Sequence, residues 1–551
     1  MLRRLLAFLV PFTMLTALFG ACGSRDPHGA EEETELTERT GDFRMKALSY
    51  PGEVLADIAP DEESAFAARA SGSGYTGMRN REGTSIILSP HFTLSGPAGG
   101  IPVYATPVYI GGTGSGALHS FASVDVEFGK EESFALTLIP AGGISGGSIS
   151  LFGPENGGEA VTKKDAVELR IGRYGVYTLI FGMDQEHGFT LFVRPYADEE
   201  EEIASLRSEL GYEHVKVLEP GLHRETHMSF GTDGGVIYMK AGAVLCPDHA
   251  LDILSDADAA EKREEGAVGE NALGLNRYPV INAFGKQDVR ILGRGTVDMT
   301  GLDWHERRGA VFSLCSGVTL SDLILINPSE WATIFYRCEN VRVRRCMVLG
   351  WKTNSDGFAV CNSRDVEILD SFARTGDDLF EVKTLGGPEE ATAEDVVFSR
   401  CQAWGGKARC YGVTGETERD IRHVEFRDSA VIIRDATWDN DRIGSLVIIR
   451  ETGSGRIRDI TFRNIVVGYD AGRAVNCAVC SASLSGSEIT GIVFDGVEYR
   501  AEMESRCMNN LGAGNVMDVT FRNVTANGEK ISPANLGRKV LTDSPGLCRA
   551  E

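Results

Sequence analysis

Positive charge is scarce in this chain. Its 551 residues carry 55 Lys and Arg against 79 Asp and Glu, a formal net charge of −24. A surface of that sign argues against nucleic acid as a partner, because phosphate binding needs a basic patch. Long apolar runs are also scarce: after the first twenty residues no segment is apolar enough to cross a bilayer. Cys477-Ala478-Val479-Cys480 looks like half of a zinc or redox motif, but no second half follows at suitable spacing. No metal or other cofactor is therefore expected. Glycine, by contrast, is plentiful, with 65 residues, which favours turn-rich β structure over helix.

The first residues read Met1-Leu2-Arg3-Arg4, then an apolar stretch from Leu5 to Phe19, then Gly20-Ala21-Cys22. Two arginines, a short apolar core and small residues before the break make an export signal over 1–22. A cysteine directly after Gly-Ala resembles a bacterial lipobox, so Cys22 is the expected lipidation site and the only expected membrane attachment. Residues 23–84 are polar, acidic and without periodicity, and read as a flexible tether. The protein is expected to be exported, anchored to the cell envelope or secreted, and monomeric.

From about residue 285 a pattern recurs: a small polar residue, Val or Ile, any residue, then an apolar one. It appears as Asp288-Val289-Arg290-Ile291, Gly317-Val318-Thr319-Leu320, Asn340-Val341-Arg342-Val343 and Asp365-Val366-Glu367-Ile368, and continues to Asp518-Val519-Thr520-Phe521. The steps are 29, 23, 25, 30, 28, 36, 32 and 27 residues. Each copy alternates with period two, so each is a strand, and helical solenoids are excluded. A step near 23 holds about three short strands and their turns, the excess lying in loops. The predicted fold class is all-β: a right-handed parallel β-helix over 201–540, its first coil beginning near Gly235, followed by a tail over 541–551. Alternating runs such as Phe134 to Leu138, Val167 to Ile171 and Phe189 to Val193 predict an antiparallel β-sandwich over 85–200, joined to the helix by a charged stretch, Asp198 to Glu202. Cys315 and Cys338 hold equivalent repeat positions, as do Cys346 and Cys401, which predicts buried packing thiols stacked inside the coils. Cys361 continues the 23-residue spacing of the first pair.

Asn354-Ser355-Asp356-Gly357 is followed, about one coil later, by Gly376-Asp377-Asp378. Strands of adjacent coils lie about 4.8 Å apart, so the three acids should cluster. Like charges at that range cannot all ionise cheaply, and one should keep its proton, leaving an acid beside a base. Glycosidic hydrolysis needs that pair. Spacing alone leaves a Ca²⁺ site or plain Asp-Gly turns equally open.

The series Gly293-Arg294-Gly295-Thr296-Val297-Asp298, Asn327-Pro328-Ser329-Glu330-Trp331, Asn354-Ser355-Asp356-Gly357 and Gly376-Asp377-Asp378 resembles the polygalacturonases of glycoside hydrolase family 28, in order and spacing. A β-sandwich ahead of a β-helix is similar to the layout of family 49, the dextranases and isopullulanases. The resemblance implies an inverting glycoside hydrolase, polygalacturonase-like or dextranase-like, acting on a polysaccharide or oligosaccharide. It implies Asp377 as general acid, with Asp356 and Asp378 activating water. One coil on, where family 28 carries Gly-His-Gly, this chain reads Trp404-Gly405-Gly406, and Arg456-Ile457-Arg458 is the only counterpart to that family's Arg-Ile-Lys.

Other residues expected near substrate are Asn354, Trp351 and Trp404 as aromatic platforms, Lys383, Lys407 and Arg409 as cations, and His305 and Arg308 in the loop Trp304-His305-Glu306-Arg307-Arg308. The high negative charge tilts the expected substrate toward a neutral or partly sulfated glycan. A polysaccharide lyase and a non-catalytic glycan-binding solenoid are the competing readings.

Overall fold

The computed structural model describes residues 44–56 and 84–551, apart from internal segments of which 144–148, 250–278, 435–442, 471–475 and 509–514 are the longest. The expected export signal and Cys22 lie outside the described residues, as does Trp438, one of the five tryptophans. Those described fall in one compact unit, and among them no helix is long and apolar enough to cross a membrane.

Three sheets of 12, 12 and 11 strands form the solenoid. They are parallel apart from a final antiparallel pair in the second, and the coil takes the right hand that parallel crossovers take. The repeat read from sequence is the first sheet. Val289, Val318, Val341, Val366, Val396, Val424, Ile460, Ile492 and Val519 are aligned rung by rung and all are buried. The small polar residue before each has a reason: Asp288, Gly317, Asn340, Asp365, Asp395, His423, Asp459 and Gly491 take φ between 52° and 74°, a region that Gly, Asn and Asp enter most readily. The apolar position two residues after Val becomes an aromatic ladder. Phe398, Phe426, Phe462, Phe494 and Phe521 stack with centroids 4.8–5.1 Å apart.

Cys315, Cys338, Cys346, Cys361 and Cys401 are buried, but the stacks they join are not built of cysteine alone. Cys338 N–H donates to Ser363 Oγ, so the third rung of that stack is Ser363. Cys361, despite its 23-residue spacing, pairs with Tyr336 instead. Likewise Cys346 N–H donates to Ser371 Oγ and Cys401 N–H to Ser429 Oγ, so cysteine and serine alternate. Each position takes a small side chain, and a thiol and a hydroxyl fit equally well.

Several expected boundaries move. Val215–Leu218 pairs with Val236–Met239, so the strand near Gly235 is already the second rung. The charged joint is the start of a helix, Glu199–Leu210, whose N-cap Asp198 accepts from the N–H groups of Glu200 and Glu201; four acids in its first turn suit the positive end of the helix dipole. Ile203 of this helix packs on Val236 and Tyr238. Residues 541–551 are not a tail, because Val540–Thr542 and Cys548–Ala550 continue two of the sheets. Part of the expected tether is also structured: Arg44–Ala47 pairs with Ser115–Glu127 in the sandwich.

The sandwich has a seven-stranded and a five-stranded sheet. It is antiparallel except where Phe189–Pro195 runs parallel to Ser115–Glu127. Its seven-stranded sheet covers the outward face of the solenoid's second sheet, with Tyr104, Val108, Phe121 and Phe192 packed against Ile324, Ile326, Met347, Leu349 and Phe372. Buried polar groups fix the register of this seam. Asp125 is held by Arg194 at 2.8 Å and by Arg294, and Asp298 Oδ2 accepts from Ser85 N–H at 2.8 Å. Asn327 Nδ2 donates to Ser85 and Thr300 hydroxyls at 2.7 Å.

Candidate active site

The three aspartates occupy equivalent turns on adjacent coils. Asp356 lies two residues before the strand Phe358–Cys361, and Asp377 and Asp378 lie just before Phe380–Thr384, the next strand of the third sheet. Phe358 is in register with Phe380, and Gly357 N–H donates to Asp378 O at 2.8 Å. One oxygen from each aspartate lies within 4.8 Å of the others. Gly376 lets the turn close: a Cβ there would stand 2.0 Å from Lys352 O on the previous coil.

Each carboxyl has a different setting. Asp377 accepts from Asn354 N–H at 3.2 Å and from Asp378 N–H at 2.9 Å. Burial, and then the charges of Asp356 and Asp378, push its pKa well above the ordinary carboxyl value. Asp378 accepts from the N–H of Arg409 at 3.1 Å and from its guanidinium at 3.0 Å, a geometry suited to a carboxylate. Asp356 Oδ2 accepts from Lys383 Nζ at 3.2 Å. Burial raises its pKa, and Lys383 pulls it back.

Lys383 is the central cation. It lies 2.8 Å from Glu381, 3.2 Å from Asp356, 3.7 Å from Glu416 and 4.0 Å from Asp378. Burial opposes its charge, but these carboxylates outweigh burial and hold its pKa well above the ordinary lysine value. The three aspartates are close enough for a divalent cation to bridge, yet Lys383 and Arg409 already supply two positive charges there. Lys407 donates to Thr353 Oγ1 at 2.6 Å and lies 4.2 Å above the Tyr109 ring, which comes from the sandwich. Burial lowers its pKa and Asp377 opposes that shift.

Around this floor, Arg308 donates twice to Glu330 Oε1, at 3.0 and 2.7 Å. Burial pushes Glu330 up to about 6 against the pull of Arg308, and Asp356 adds to the rise. Trp304 hangs on Thr353 O at 2.9 Å, 41 % exposed, with the His305 ring 4.0 Å away.

The residues anticipated from sequence thus divide. Asp356, Asp377, Asp378, Asn354, Lys383, Lys407 and Arg409 come together; His305 and Arg308 join through Trp304 and Glu330. Trp351 and Trp404 do not serve as platforms. They are 0 % and 1 % exposed, because the second sheet turns them outward under the sandwich, where Trp351 packs on Ile87, Ala105 and Tyr109 and Trp404 lies under Arg374 at 3.9 Å. Arg456 and Arg458 pair with Asp420 at 2.8 and 2.9 Å on the first sheet, whereas the acids lead into the third. The residue not singled out was Glu381. Its signal was the alternation Phe380-Glu381-Val382-Lys383, which sends both charged side chains to the outward face beside the acids.

The fold and site define a class, a parallel β-helix carrying a buried cluster of three carboxyl groups on adjacent coils. Residues 279–537 match the model of glycosyl hydrolases family 28. The polygalacturonase QRT2 of Arabidopsis thaliana is 24% identical over 196 residues, 33% of this chain and 42% of that protein. A polygalacturonase of Chamaecyparis obtusa is 24% identical over 235 residues, 39% and 43% of the two chains. The chain therefore spans less than half the length of either relative. The family 28 exopolygalacturonase of Yersinia enterocolitica superposes with a TM-score of 0.43 at 11% identity, over 76% of this chain and 95% of that one.

Proposed function

We propose that the protein hydrolyses O-glycosidic bonds of a polysaccharide or oligosaccharide, with Asp377 as general acid and Asp356 and Asp378 as the groups that activate water. The observation carrying this reading is the unequal setting of the three acids: among the described residues Asp377 has no cation in hydrogen-bond contact, and burial with two neighbouring carboxyl groups raises its pKa, while Asp356 and Asp378 are tied to Lys383 and Arg409. An acid beside two carboxylates is what protonation of a leaving oxygen and deprotonation of water require. Lys383 keeps Asp356 and Asp378 turned toward one space, where a water would sit. Trp304 offers an exposed ring at the cleft edge, and Asn354, half-buried beside Asp377, offers a polar edge to a sugar hydroxyl.

Inversion follows from the resemblance to family 28. A retaining course is the second reading, since the nearest carboxyl oxygens lie within 4.8 Å of one another and carboxyl groups stand closer in retaining than in inverting enzymes. Proton NMR of the first-formed product decides between them by its anomer. The named relatives make polygalacturonate the first glycan to assay. The pairing of Arg308 with Glu330 and of Lys383 with Asp356 leaves these cations already engaged, which supports a neutral glycan alongside it. On the cleaved glycan, Asp377→Asn should lower kcat about 10²- to 10⁴-fold. Full activity in that variant would sink the assignment, and a product mixture absorbing ultraviolet light would indicate lyase chemistry instead.

The N-terminal reading enters on the same footing. Export on the segment 1–22 with lipidation at Cys22 is supported by the arginine pair, the apolar stretch and Gly20-Ala21. Cys22→Ser should release the protein from membranes if it is acylated.

A further inference from the structure

Glu381 interrupts an apolar stretch of its outward row in the third sheet. Register places it between Val311, Ile334 and Ala359 on the preceding coils and Gly412 and Val447 on the following ones. Its side chain is fully buried. Ala359 and Gly412 are its immediate neighbours, and their small size leaves the room into which it folds. Gly412 cannot be enlarged, since a Cβ there would stand 1.9 Å from Val447 O at a φ of 153°.

Its two oxygens are used unequally. Oε2 accepts from Lys383 Nζ at 2.8 Å and from Thr414 Oγ1 at 2.8 Å. Oε1 is buried with no acceptor bond, and the same is true of Asp356 Oδ1, whose other oxygen is on Lys383. Among the described residues, no donor reaches either of these two buried carboxyl oxygens of residues sharing one lysine. A buried acceptor left unsatisfied costs about 1–3 kcal/mol, and more for a charged group. One proton between them satisfies both.

We infer that Glu381 is a protonated positioning residue that donates through Oε1 to Asp356 Oδ1, holding Asp356 ionised and aimed for its part in the proposed reaction. The charge count agrees. With protons on Asp377 and Glu381, the buried carboxylates Asp356 and Asp378 face the two cations Lys383 and Arg409. Were Glu381 ionised as well, three buried carboxylates would face the same two cations, which Glu416 and Glu451 also approach. Burial works in the same direction, pushing the carboxyl of Glu381 well above its ordinary range, with the charges of Asp356 and Asp378 adding to it. The groups facing it are Asp356 and the buried Cys361 from the preceding coil, Asp378 and Lys383 from its own, and Thr414 and Glu416 from the next. Glu381 touches no reacting atom and acts through Asp356.

The inference rests on the hydrolase reading for its consequence but not for its first test. In infrared difference spectra at neutral pH, Asp377→Asn should keep a protonated-carboxyl band, and that band should be lost when Glu381→Gln is added to Asp377→Asn. Glu381→Met, of similar volume, should lose the same band if the glutamine perturbs the fold. An unchanged band in both Glu381 variants overturns the inference, whether or not any glycan is cleaved. The second test is kinetic. Glutamine keeps the donor to Asp356 and the acceptor for Lys383 and Thr414, so the kcat of Glu381→Gln should stay within about threefold with both limbs of the pH profile in place. Glu381→Ala should lose at least about tenfold in kcat with its acid limb moved to higher pH. If Glu381 is ionised in the wild type, glutamine removes a negative charge and moves both limbs to lower pH, which also overturns the inference. Band loss without glycan cleavage would leave this assignment standing while the hydrolase reading fell.

Discussion

At the scale of single residues, the site separates side chains that resemble one another in sequence. Trp304 stands exposed at the rim, whereas Trp351 and Trp404 are covered by the sandwich. Trp304→Ala should therefore raise KM about two- to tenfold, the equivalent of an aromatic contact of about 0.5–1.5 kcal/mol, without changing the melting temperature. Differential scanning calorimetry beside steady-state kinetics checks both halves. Asp377 gives a stability prediction whose sign follows from proton linkage. Its pKa is raised in the folded protein, so the folded state binds the proton more tightly than the unfolded one. The stability this adds is complete below the ordinary carboxyl value near pH 4 and is lost as pH rises through the raised value. Asp377→Asn carries no charge at any pH. It should exceed the wild type in stability by about 1 kcal/mol or more at neutral to alkaline pH and by nothing below about pH 4, as denaturant titrations at several pH values would report.

Elements are set by the coil. In eight of the nine repeats the residue before the Val or Ile enters the left-handed region, the Val or Ile points inward, and in the later coils the next inward position builds the phenylalanine stack. Phe462 lies inside that stack, 5.0 Å from Phe426 and 4.8 Å from Phe494, whereas Phe521 is the last ring of the stack. Phe462→Ala should cost about 3–5 kcal/mol and Phe521→Ala less, measured by equilibrium unfolding. Equal losses would mean that the terminal coil is as tightly bound as the interior. This register was legible in sequence because an inward residue recurs at every coil. The distinction between Cys361 and Ser363 was not, because a constant spacing in residues does not follow the turn that lengthens between rungs.

At the scale of the whole molecule, the sandwich is a structural cover of the second sheet that also reaches the site. Tyr109 carries Lys407 on its ring, and Asp125, Ser85 and Tyr50 take the buried groups of the Gly293 to Asp298 segment. Trp404, buried in the seam against Arg374 and His119, should behave as a core residue. Trp404→Ala should destabilise the protein by about 3–5 kcal/mol and leave KM unchanged. A raised KM at unaltered stability would return this tryptophan to the substrate.

Sequence alone determined the solenoid, the strand nature of its repeat and the meeting of Asp356 with Asp377 and Asp378, since each depends on residues a fixed number of positions apart along one coil. Only the tertiary structure decided which outward side chains remain exposed and which charges find partners. The sandwich lies far from the solenoid in sequence, and nothing in the local pattern of Trp351 or Trp404 records that another sheet will cover them. The same holds for Glu381: its direction followed from strand alternation, but its proton depends on Lys383, Thr414 and Asp356 arriving together from three coils.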